Sequence, residues 1–306
     1  MSRVSRTSTD IRTGADTRTG AGPGAPSSAG AAIHRRPPGI VRGSIAATRL
    51  ELRGYFRTAD TVFFTFLFPV LLLGIFGTAF AAQGDIGALP DGTGGISMAQ
   101  YYLPGMVASA IMLSGLQNLA IDIAREKSEG WLKRLGGTPI SPVSYFLGKV
   151  GMILITTVLQ ISLLFVFAVL VLRVELPNEP EAWLRFGWIL VLGIATMSLL
   201  GVALSALPRS SRSASAVVLP VVLILQFISG VYLMFSMLPE WLQNIAAIFP
   251  LKWLAQGMRS VFLPEHFADL EPSGDWDLGL VAVFLGIWLI VGLVGSPVTF
   301  RWTRRS

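Results

Sequence analysis

The chain has 306 residues, 52% hydrophobic and only 14% charged, with a mean hydropathy of +0.63 and a formal net charge of +6. A soluble domain carries about 25% charged residues, so an ordinary water-soluble globule is excluded and lipid is the natural solvent. The absence of cysteine, with His34 and His266 the only histidines, excludes disulfides, thiol nucleophiles, a Cys- or His-based metal cluster and a His-dependent triad, and the scatter of Lys and Arg along the chain argues against nucleic acid.

In chain order, residues 1–38 are rich in Ser, Thr, Gly, Ala, Pro and Arg and nearly devoid of large apolar residues. They are expected to form a disordered cytoplasmic tail. No apolar h-region marks a signal peptide there. Residues 39–306 are expected to form one membrane domain. Ile40 to Asp60 sets Ile40, Ile45, Leu50 and Leu52 among Arg42, Arg49, Arg53 and Arg57. That pattern predicts a basic amphipathic helix on the membrane face, with an ordinary solvated helix as the alternative.

Six apolar runs follow, at about 61–82, 101–121, 147–172, 186–207, 216–237 and 278–299. Each is long enough for the roughly 20 residues that a helix needs to cross a bilayer. None alternates with period two, and lipid tolerates no unpaired backbone, so helix is the expected form of all six. Between spans five and six, Leu238 to Leu263 holds apolar pieces too short to cross, punctuated by Pro239, Pro250 and Pro264. They predict re-entrant or interfacial helices. The expected fold class is therefore an all-α membrane protein with six transmembrane helices.

Charge sets the orientation. With the N-terminus in the cytoplasm, ten Lys or Arg precede span one, five surround Arg125, two are Arg209 and Arg212, and three are Arg301, Arg304 and Arg305. Only Arg173, Arg185, Lys252 and Arg259 fall outside. The chain is expected to be multi-pass in the cell membrane with both termini cytoplasmic.

The loop between spans two and three is a charged island. Asp122 to Leu135 reads as helix, with Glu129 four residues before Lys133, the favourable order for an ion pair. Gly136 and Gly137 are placed to end it, and Ser141 with Pro142 to cap and start span three. The residues alone leave open whether this is a solvated connector or a surface on which a partner docks.

Glu126, Glu129, Gly130, Leu132, Arg134, Leu135, then Thr138-Pro139-Ile140-Ser141-Pro142 and Leu147-Gly148-Lys149 resemble the signature of ABC type-2 exporter permeases. Trp131 stands where that pattern has Thr, and Gly136-Gly137 where it has a Leu-Ala-like pair. The resemblance runs from about Ile40 to the end. It implies that the loop is a cytoplasmic coupling helix seated on a separate ATPase subunit, with Glu126, Glu129, Lys133, Arg134, Thr138 and Pro139 as coupling residues. It further implies a second permease copy, as homodimer or paralogue, and a small-molecule or lipid cargo. Its nearest relatives by function are drug and antibiotic exporters; lipid and polysaccharide exporters are the alternative.

No G-x-x-x-x-G-K-[ST] run occurs in the sequence; Gly148-Lys149 is followed by Val150. The chain is thus expected to bind no cofactor, with ATP and Mg used by the partner. Nor do the spans hold the buried Ser/His or paired acids of an intramembrane enzyme. A membrane scaffold or sensor is the remaining non-transporter reading. Span interiors look almost free of ionisable groups, which argues against a proton-coupled antiporter. Uncharged polar residues do occur at depth: Gln117, Asn118, Gln160, Gln226 and Ser229. Interhelical hydrogen bonding is the favoured reading and a substrate path the alternative.

Overall fold

A computed structural model describes residues 39–80, 84–90, 93–130 and 142–300. The first element, α1 (Ile40–Arg57), exposes Ile40, Val41, Ile45, Leu50 and Phe56 and buries Gly43 and Tyr55. Its buried side is small, so its backbone lies close on the start of α4 (Pro142–Leu170). Gly43 sits over Ser144, Ala47 over Gly148 and Thr48 over Gly151. A Cβ added at Gly148 would come 2.5 Å from that of Ala47, so glycine is what permits this approach. Thr58 breaks the helix (φ −96°, ψ 86°) and turns the chain into the first span.

Six helices are long and apolar enough to cross a membrane. They are α2 (Ala59–Ala79), α3 (Met98–Ser128), α4, α5 (Pro180–Leu204), α6 (Ser211–Ile228) and α9 (Leu278–Phe300). α3 is the centre of the bundle and is buried over most of its length, whereas α2, α6 and α9 bury less than a third of theirs. Their exposed Leu, Ile, Val and Phe are what a hydrocarbon solvent accepts. Glycines admit the neighbours of α3: Gly105 lies against the Val231 backbone, and Gly201 of α5 lies where a Cβ would meet Gly115 O at 2.5 Å.

α3 is longer than the expected second span. Its 31 residues make a rod of about 46 Å at 1.5 Å per residue, well beyond the ~30 Å hydrocarbon core. The helix expected to begin at Asp122 is therefore no separate element; it continues span two to Ser128. Gly130, at φ 72°, follows the end of this helix. The expected end at Gly136-Gly137 lies outside the described residues.

Span five departs the other way. α6 starts on a Ser210–Ser213 capping box but stops at Ile228, not near Met237. Gly230 takes φ 76°, and Val231 to Met234 leave the helix although they are apolar. Beyond them come α7 (Glu240–Ala246) and α8 (Pro250–Phe262). Every residue of α8 is buried, against α3, α5 and α9.

Candidate functional site

Two features stand out. The first is an ionic joint at the end of the bundle where α1, the end of α3 and the start of α4 meet. Lys149, two turns into α4, is 2% exposed and donates to Glu126 of α3 at 2.6 Å and to Glu51 of α1 at 2.8 Å. The Tyr145 hydroxyl also donates to Glu126. One ammonium thus holds three helices. Burial pushes the Glu51 carboxyl above its ordinary value, and the Lys149 ammonium beside it opposes the rise. Lys149 lies inside the third span, and a lone buried lysine in an apolar run demands such partners.

The second feature is a cleft of about 720 Å³ between α2, α3 and α6. Its origin lies in the backbone. Pro69 has no N–H, so the carbonyl of Thr65, four residues earlier, loses its helical donor. Gln160 of α4 supplies one, its Nε2 donating at 2.6 Å, and Ser114 Oγ donates in turn to Gln160 Oε1 at 3.0 Å. Asn118 Nδ2 donates to Thr65 Oγ1 at 3.1 Å. Both facing segments, Phe63–Leu67 and Leu113–Asn118, are π-helical turns, a geometry that recurs at functional sites.

The cleft opens below this knot. Phe64, Phe68, Leu113, Ile121, Leu219 and Leu223 give it an apolar body. Gln117, Asn118 and Gln226 line it as well, with Tyr232 at the Gln226 end. The Tyr232 phenol donates to Gln226 Oε1. Burial pushes that phenol up to about 12, so it remains a donor at neutral pH. At the other end stand Asp60 and Asp122.

The expected site residues divide accordingly. Gln117, Asn118 and Gln226 share the cleft. Gln160 sits behind it, engaged with Ser114 and Thr65, and Ser229 is fully buried with a hydroxyl lacking a partner; neither lines the cleft. Glu126 faces inward to Lys149 and Tyr145 rather than outward to a partner. Glu129 is half exposed and pairs with Arg125 at 3.1 Å, one turn back. The expected partner Lys133, with Arg134, Thr138 and Pro139, lies outside the described residues. Sequence reasoning missed Glu51, the single acid among the arginines of α1, and assigned no role to Asp60 or Asp122.

At the opposite end, Arg259 Nε donates to Glu271 at 2.6 Å, with both side chains under 5% exposed. Lys252 Nζ lies 3.8 Å from the Trp253 ring centroid and donates to Gln256. Burial pushes this ammonium down to about 8.

Residues 88–296 match the family described as ABC-2 family transporter protein. The chain is 26% identical over 236 residues to ycf38 of Cyanophora paradoxa, whose name describes a transport permease; the match covers 76% of this chain and 77% of that one. It is 22% identical over 190 residues to YbhR of Escherichia coli (strain K12), whose name describes a probable multidrug ABC transporter permease; here 61% of this chain and 50% of YbhR are covered. To YadH, an inner membrane transport permease of the same strain, it is 23% identical over 204 residues, 64% of this chain and 76% of that one. The chain thus spans about half the length of YbhR.

Proposed function

Since the chain belongs to the ABC-2 family of transporter proteins, we propose that it forms the membrane path for efflux of a hydrophobic or amphipathic compound such as a drug or antibiotic. In this reading ATP and Mg are used by a separate ATPase subunit, and a second permease copy completes the path. The chain sits in the cell membrane with the joint end in the cytoplasm, where most of its Lys and Arg then fall. Its exposed apolar face lays α1 on the inner leaflet.

One observation carries the proposal. α3 runs unbroken from Met98 to Ser128, and it bears both the cleft wall, Leu113 to Asp122, and the joint residue Glu126. A push on the loop after Ser128 is delivered by a single rod to the cleft. Lys149 makes α1 and α4 move with it. Closure of two ATPase subunits would supply that push and rock the helices as rigid bodies. The multidrug wording in the name of YbhR agrees with an amphipathic cargo, as does the largely apolar cleft.

Reconstitution tests this. In proteoliposomes the chain alone is expected to hydrolyse no ATP. With its ATPase subunit it should drive uptake of at least one member of a panel of lipophilic dyes of positive, negative and zero charge. Glu129→Lys should leave hydrolysis running while uptake falls about tenfold or more, the loss of roughly 1.4 kcal/mol of coupling. Hydrolysis by the chain alone, or no ATP-driven uptake of any dye by the assembled pair, would reject the proposal.

A further inference from the structure

We infer that the cleft between α2, α3 and α6 is a binding site for lipophilic cations, with Asp122 and Asp60 as the carboxylates that select the charge. The inference rests on the efflux reading only for the cargo's fate; the site stands on its own lining.

Position comes first. α2 and α3 are antiparallel, since Thr65 meets Asn118 and Phe76 stacks on Tyr102 at 4.9 Å. Four residues back from Thr65 and four on from Asn118, that register sets Thr61 level with Asp122. Asp60 is its chain neighbour. Two carboxylates on facing helices therefore border the same end of the cleft.

Charge comes second. Among the described residues, no Lys or Arg lines the cleft. Arg57, Arg125, Lys127 and Arg212, near it in sequence, are not among the lining residues. The buried lysine nearby is already held by Glu126 and Glu51, and Arg125 pairs with Glu129. Asp122 makes no ion pair among the described residues. Lys149 is thus shared by Glu51 and Glu126, and Asp122 and Asp60 border the cleft without an ion pair of their own among the described residues.

Shape comes third. From Ser215 to Gln226 along α6 the cleft extends about 16 Å at 1.5 Å per residue, with its carboxylates at one end and its apolar wall beyond. An amphiphile with one positive group and an aromatic or aliphatic body matches that order. Phe64, Phe68 and Tyr232 are among the lining residues, and an aromatic face attracts a cation; the Gln117 and Gln226 amides lie within the lining as well. An anion of the same size meets the same apolar wall with two repelling carboxylates at its entrance.

Tetraphenylphosphonium and tetraphenylborate are near-isosteric ions of opposite sign and serve as probes. Binding of each to the purified chain in nanodiscs, corrected with empty nanodiscs, is measured for the wild type, Asp122→Asn and Asp60→Asn. The wild type should bind the phosphonium above background and the borate not at all. Asp122→Asn should weaken phosphonium binding about tenfold, the scale of one partly desolvated charge contact. Asp60→Asn, at an exposed position, should weaken it less, and both variants should keep the wild-type melting temperature. Equal binding of the two ions, unchanged phosphonium binding in both variants, or no binding because a second copy or lipid fills the cleft would overturn the inference. Selective binding without ATP-driven uptake in the reconstituted pair would instead reject the efflux reading and leave the cation site in place.

Discussion

At one end of the bundle Arg259 pairs with Glu271, both side chains dry, and also donates to the Gly230 carbonyl. At the other, Lys149 is shared by Glu51 and Glu126, about a fifth exposed, with Asp122 one turn before Glu126 on the same helix. The first arrangement sets one cation against one anion and ties α8 to the segment just after it and to the Gly230 turn. The second is short of positive charge, partly wet, and joins three helices far apart in sequence. A balanced dry pair fixes one geometry. An unbalanced wet one leaves a carboxylate free for something else and can be shifted from outside. The difference separates the part of the molecule built to hold still from the part placed to move and to select.

If the distinction is right, Glu271→Ala should be the costlier change. It strands the Arg259 guanidinium in a dry site, at about 3–5 kcal/mol, read as a lower melting temperature or poor recovery of folded protein in detergent. Lys149→Met should cost less, about 2 kcal/mol, because Glu51 and Glu126 regain water. It should nevertheless uncouple uptake from ATP hydrolysis in the reconstituted pair, which Glu271→Gln should not. Equal uncoupling by both would erase the contrast.

Lys252 sharpens it through pH. Its folded ammonium is pushed down to about 8 by burial, from an ordinary 10.5. Between those values the folded chain has released a proton that the unfolded chain retains. Unfolding therefore takes up a proton, and stability rises with pH from about 8 to about 10.5. The ring of Trp253 favours the charged form and moderates the rise. Melting temperatures across that window should climb for the wild type and stay flatter for Lys252→Met. The smallest effect should come from Arg125→Ala. Its pair with Glu129 is largely exposed, and its loss should change stability by about 0.5 kcal/mol or less.

How much of this was legible in the chain follows from what each signal measures. Hydropathy reports the solvent a segment prefers, so all six spans could be read. It does not report backbone angles. The apolar run Val231 to Met237 therefore looked like the end of span five, although Gly230 had already turned the chain. Nor does it report helix continuity. Asp122 to Ser128 was correctly helical but could not be recognised as the end of a 31-residue rod. Contacts made across the sequence were beyond reach: Glu51 and Lys149 are 98 positions apart. A lone lysine inside an apolar run was the available clue, and it pointed to a partner without naming one. The knot of Thr65, Asn118, Ser114 and Gln160 was half readable. Buried amides predicted interhelical bonding, while the carbonyl freed by Pro69 follows only once its helix is known. Gln226 lines the cleft, and its bond is local, to Tyr232 six residues on, rather than interhelical.

The proposal that force enters at the joint end can be probed directly, because the chain has no cysteine. Glu129→Cys introduces a single thiol, which a membrane-impermeant maleimide can reach from one side only. Labelling should occur in inside-out vesicles, fail in right-side-out cells, and be slowed when the ATPase subunit is bound. Labelling from the exterior, or labelling indifferent to the ATPase, would contradict a permease driven from its cytoplasmic face.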